Sequence, residues 1–140
     1  MKILLAVDGS KYGKRAVDYL ARHFESMGNA PSIELLHVQP PLPPHAVSHL
    51  PRANVQGYYK ETSAKALAPA VRALAKAGIT CGEGFVVGDP AAEIAATAEK
   101  GKFDMVVMGS HGHGLFTSLA LGSVVTKVLA GCKVPVLIIR

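Results

Sequence analysis

Gly109, Gly112, Gly122 and Ser123 stand in the pattern Gly-x2-Gly-x9-Gly-Ser, and the chemistry that such a pattern suits is anion binding. The first of them follows the largely apolar run Phe103–Met108, which reads as a buried parallel strand. Glycines at a strand's carboxyl end let the backbone turn tightly and bring bare N–H groups close to an anion. Gly122-Ser123 then opens an expected helix over Val124–Leu129. The positive end of that helix points at the same place, so a phosphate would meet two surfaces at once.

Other residues with chemistry to offer are few. Asp8 ends the first apolar run, where it suits either ligand contact or capping of the next helix. His111 and His113 are two apart and share a face if the segment is extended, but no third metal ligand is evident, so they read as solvated loop histidines. The same holds for His45 and His49. His37, near the end of the second strand, reads as a packed or backbone-bonded histidine. Cys81 and Cys132 have neither metal spacing nor a Cys-x-x-Cys partner and read as buried filler. There is no P-loop lysine, and Gly112-His113-Gly114 lacks the third glycine of a dinucleotide fingerprint. Glu93 and Glu99 are expected to face solvent.

The elements that must position these residues alternate between strand and helix. Lys2–Val7 is the first strand, and Ser10 caps a helix whose apolar face is Ala16, Val17, Leu20, Ala21 and Phe24. Gly28-Asn29-Ala30-Pro31 ends that helix, and Ile33–Val38 is the second strand. Segment 39–57, with Pro40, Pro41, Pro43, Pro44 and Pro51, is too proline-rich for helix and reads as a lid or a mobile connection. A helix over Tyr58–Ala77 follows, with Ala64, Leu67, Ala68, Val71 and Leu74 on one side. Pro69 should kink it, since an interior proline costs about 3 kcal/mol. Cys81–Val87 is the third strand, and Asp89-Pro90 starts a helix that runs to Gly101. Phe103–Met108 and Val134–Ile139 are the fourth and fifth strands. Strands joined by helical crossovers make a parallel sheet with helices on both faces, in one domain over residues 1–140. Ligands then sit at the carboxyl ends of strands where the order reverses, and Asp8 and Gly109 meet there if strands one and four are neighbours.

With 49% hydrophobic and 18% charged residues the chain is globular rather than disordered. The net charge of +5 comes from scattered Lys and Arg without basic tracts or recognition motifs, which argues against nucleic acid and favours an anionic ligand. No apolar stretch is long enough to span a membrane, and Ile3–Val7 is too short for a signal-peptide core, so the expected location is the cytoplasm.

Taken in order, Ala6-Val7-Asp8-Gly9-Ser10, Leu36-His37-Val38, Gly88-Asp89-Pro90, Met108-Gly109-Ser110-His111-Gly112, Gly122-Ser123-Val124 and Val134-Pro135-Val136-Leu137 resemble the universal stress protein family over essentially the whole chain. That family divides into members that bind ATP and members that do not. Gly109, Gly112, Gly122 and Ser123 match the motif of the ATP-binding branch. The resemblance implies a Rossmann-like open sheet of five strands ordered 3-2-1-4-5, of the adenine nucleotide alpha hydrolase type. It implies ATP, ADP or AMP as ligand, with Mg2+ or Mn2+. Asp8, preceded by Ala6 and Val7, would contact the ribose side and a nucleotide-bound metal. The backbone of Val38, beside His37, would recognise the adenine edge. Met108 and Gly109 would line the ribose, and Gly112, Gly122 and Ser123, with His111, His113 and Val124 around them, would hold phosphates. His113 falls where relatives often carry Arg, which makes phosphate contact there weaker or pH-dependent. A homodimer through Val134–Ile139 is implied as well, and that apolar strand needs such cover.

The first functional expectation is therefore a dimeric regulatory protein that binds ATP. The alternatives are a slow ATP phosphohydrolase or phosphotransferase, in which Asp8 and the loop histidines are the local candidates, and a nucleotide-free interaction module. A valine at position 122 is expected to block the approach of a phosphate.

Overall fold

A computed structural model describes residues 1–24, 26, 31–114 and 121–140. In chain order the elements are β1 (Lys2–Ala6), α1 (Lys11–His23), β2 (Ser32–Gln39), α2 (Pro44–Val47), α3 (Arg52–Lys76), β3 (Cys81–Val87), α4 (Pro90–Lys100), β4 (Met105–Gly109), α5 (Ser123–Gly131) and β5 (Val136–Ile139). The strands form one parallel sheet in the order β3-β2-β1-β4-β5, as the resemblance implied.

Alternation along β1 divides the interior into two layers. Ile3, Leu5 and Val7 pack with Leu20 of α1 and Leu67 and Leu74 of α3 on one face. Leu4 and Ala6 pack with Ile94 and Ala98 of α4 and Val125 and Val128 of α5 on the other. Among the described residues no helix is long and apolar enough to cross a membrane.

Capping decides where two helices begin. Ser10 Oγ accepts from the Gly13 amide at 3.1 Å, and Asp89 Oδ1 accepts from the Ala92 amide at 3.0 Å with Pro90 at the first helical position. The glycine stop expected for α1 at Gly28-Asn29-Ala30 lies outside the described residues. At the end of α4 the backbone reverses through Lys102, with φ of 52°, rather than through Gly101. Phe103 then belongs to the helix end, its amide bonded to Ala98 O at 3.0 Å, which is why β4 starts at Met105 and not at Phe103.

Segment 39–57 differs from expectation. β2 continues to Gln39, a short helix occupies Pro44–Val47, and α3 starts at Arg52 rather than Tyr58. Proline is excluded from helix interiors but suits the first turn, where its missing N–H is not needed. Pro44 is the first residue of α2 and Pro51 immediately precedes α3. Pro69 does not end α3, which runs through it with the ring on an exposed position. The buried stripe of α3 is Tyr59, Ser63, Leu67, Ala70 and Leu74, so Ser63 takes the inward place expected of Ala64, which is exposed.

Candidate functional site

The register brings the tips of three strands level. Ala6 of β1 pairs with Leu36 of β2 on one side and with Met108 of β4 on the other. The order reverses at β1, since β2 leads outward one way and β4 the other. Above this point lies a cleft of about 530 Å³. Ala6, Val7, Asp8, His37, Val38, Met108, Gly109, His111, Gly112, His113, Gly122, Ser123 and Val124 all line it. The sequence pattern missed Gln39, Pro40, Thr62, Pro90 and Ile94, which line it as well, beside Gly13, Leu36, Gly114 and Val125. A polar residue closing a buried strand was a usable signal for Gln39. Thr62 sits mid-helix and carried none.

Close neighbours surround the motif glycines. A Cβ added at Gly109 would fall 2.4 Å from the carbonyl carbon of Tyr12 and 2.8 Å from the Gly13 amide nitrogen, so this glycine lets the start of α1 press against the tip of β4. A Cβ at Gly112 would fall 2.8 Å from Asp8 Oδ2. At Gly122 it would lie 3.2 Å from His111 Cα and 3.3 Å from Ser110 O. Gly109 and Gly122 thus serve close backbone contacts of the protein itself, whereas the neighbour of Gly112 is a side chain. A valine at 122 would strain the loop before it met a phosphate.

Not every amide of the loop is available. Ser110 N donates to Ile139 O at 2.8 Å, and Gly122 N donates to Ser110 O at 2.8 Å. These bonds pin the two ends of the loop and narrow the expected anion seat. The first turn of α5 supplies further amides. The amides of Ser123, Val124 and Val125, like those of any first turn, have no intrahelical partner, and Gly122 has no side chain to cap them. All three residues line the cleft.

Asp8 combines two tasks. Its Oδ1 accepts from the Ser10 amide at 2.9 Å, shaping the turn into α1, while Oδ2 lies beside Gly112. His113 is exposed, and its Nε2 lies 2.7 Å from Asp8 O. A carbonyl can only accept, so Nε2 carries the proton and ties the loop to the end of β1. His111 departs from the solvated reading. It is half-buried, with Nδ1 3.0 Å from Ser110 Oγ and its ring 4.9 Å from that of Tyr12. His37 is buried, with Nδ1 2.9 Å from Val7 O. Among the described residues no group of three or more His, Cys, Asp or Glu could hold a metal ion.

A doubly wound α/β protein with its cleft at the point of strand reversal is the class that this fold and site define. The family model described as "Universal stress protein family" matches residues 1–140, and the chain belongs to that family. A universal stress protein of Thermus aquaticus, described by its place 3' of a QAH/OAS sulfhydrylase gene, is 32% identical over 139 residues, covering 99% of this chain and 97% of its own. Among solved structures, hypothetical protein MJ0577 of Methanocaldococcus jannaschii superposes with a TM-score of 0.82 at 26% identity, over 99% of this chain and 94% of that one. A universal stress protein in complex with cAMP superposes with a TM-score of 0.67 at 25% identity, over 100% and 96%.

Proposed function

We propose that this chain binds an adenine nucleotide, ATP in the first instance, in the cleft above β1 and β4, and acts as a dimeric regulatory protein in one domain rather than as an efficient enzyme. The observation that carries the reading is the uncapped start of α5. Unlike α1 and α4, this helix meets the cleft with its first-turn amides unspent. Such a terminus favours negative charge through both hydrogen bonding and the helix dipole. The relative solved with cAMP supports the same class of ligand. Phosphates would lie against Gly112, Ser123 and Val124, the sugar against Asp8, Met108 and Gly109, and the base toward Val38. Among the described residues Asp8 is the one carboxylate lining the cleft, a donor set that fits Mg2+ or Mn2+ arriving with the nucleotide, since Mg2+ commonly takes one or two carboxylates plus substrate phosphates. The metal would screen phosphate charge beside Asp8.

Hydrolysis needs a positioned base and strong charge neutralisation. Asp8 is already shared with the turn into α1, so turnover should be slow.

The test is equilibrium titration with a fluorescent adenine nucleotide, on the parent and on Ser123→Glu. A carboxylate in the first turn of α5 suits the helix dipole, so the fold should melt no lower. It also opposes phosphate, so affinity should fall at least tenfold, roughly the effect of 1.4 kcal/mol. Absence of a saturable signal from the parent at millimolar nucleotide would sink the proposal.

A further inference from the structure

Gln39, the last residue of β2, lines the cleft and is only 6% exposed. Its Nε2 donates to the Tyr59 carbonyl oxygen at 2.7 Å and to Ser63 Oγ, both on α3. A backbone carbonyl only accepts, so the amide cannot be turned over and its nitrogen must face the helix. Tyr59 is held in turn, its hydroxyl accepting from the Leu42 amide at 2.7 Å. Oε1 therefore lies on the side away from Tyr59 and Ser63, and it has no protein partner among the described residues. Since no buried side-chain oxygen or nitrogen among them is left unpaired, Oε1 reaches the open space of the cleft that Gln39 lines.

A second acceptor stands beside it. His37 precedes Gln39 by two residues, so both side chains leave β2 on the α3 face. The bond from Nδ1 to Val7 O places the ring proton on Nδ1. A ring that holds a single proton, on Nδ1, leaves Nε2 able to accept. The side chains of His37 and Gln39 thus bring lone pairs to this wall of the cleft, which suits a ligand edge that brings N–H groups.

Resting on the nucleotide reading above, we infer that Gln39 is a specificity residue: Oε1 accepts from the exocyclic amino group of a 6-aminopurine and disfavours a 6-oxopurine. In the oxo base the same position presents lone pairs to lone pairs, and an acceptor left unpaired in a closed site costs affinity. Tyr59 and Ser63 act as positioning residues, because they fix which end of the amide faces the ligand.

The experiment compares ATP with ITP, which differ in this group, on the parent, Gln39→Leu and Ser63→Ala, with thermal melting of each as the check on folding. The parent should prefer ATP. In Gln39→Leu the ATP-over-ITP ratio should fall by about 3- to 10-fold, the effect of one net hydrogen bond. Ser63→Ala, which leaves the amide one anchor, should lower the ratio by a smaller factor, and it decides the matter if the leucine variant fails to fold. Equal binding of ATP and ITP by the parent would overturn the assignment. So would a parent-like ratio in a folded Gln39→Leu, while leaving nucleotide binding standing. No saturable binding of either nucleotide by the parent would overturn the nucleotide reading itself.

Discussion

Gly109 and Gly112 lie close together in the motif, yet they answer to different neighbours. At Gly109 the three atoms that a methyl group would meet first are backbone of Tyr12 and Gly13, and backbone held by α1 cannot step aside. Gly109→Ala should destabilise the fold by about 1–3 kcal/mol, as overpacking does, and chemical denaturation would measure it. At Gly112 the obstacle is the Asp8 carboxylate, which can turn at modest cost. Gly112→Ala should leave the denaturation midpoint nearly unchanged but weaken nucleotide binding several-fold. If both variants lose stability equally, the separation of packing from ligand roles is wrong. Cys81 gives a third expectation at this scale. Burial first, then the Glu83 and Glu34 carboxylates, hold its thiol above the ordinary range. Only the thiolate is nucleophilic, so at pH 8 iodoacetamide should label Cys81 more slowly in the native chain than in urea. Mass spectrometry of the labelled peptide would show it.

At the scale of elements, the caps were legible because each is a local hydrogen bond between residue types that rarely serve otherwise. Ser10 and Asp89 were read from sequence alone and do cap α1 and α4. Replacing Ser10 by Ala should cost about 1 kcal/mol, read as a lowered melting temperature. The start of α3 was illegible for the opposite reason. Counting prolines over 39–57 treats them as breakers, whereas Pro44 and Pro51 act by position at helix starts. The inward turn of Ser63 was also hidden, because its partner Gln39 comes from a distant strand and no periodicity reports such a pairing. The glycine motif was readable in spacing, but its partners Tyr12 and Asp8 come from the other end of the chain. The commitment of the Ser110 and Gly122 amides to protein carbonyls was hidden in the same way, as was the packing of His111 on Tyr12.

For the whole molecule, the parallel sheet followed from alternation and its order from family likeness, and among the described residues no further strand pairs with either border of that sheet. Pro135 O and Ile139 O accept from β4-side amides, so by strand alternation the polar groups of Val136 and Ile138 turn outward. If two copies join along β5, as proposed, Ile138→Pro removes one outward N–H without touching the inner bonds. Sedimentation should then report a monomer, with far-UV circular dichroism preserved. The opposite border is built differently. The exposed stretch of β3 is Glu83, Gly84 and Phe85, preceded by Gly82, and a charge flanked by glycines is a poor template for another strand. A two-fold pairing along β5 would place these reluctant borders at the far ends of the joined sheet. Growth would then stop at two copies, and a rise in concentration would fill dimers without seeding fibres.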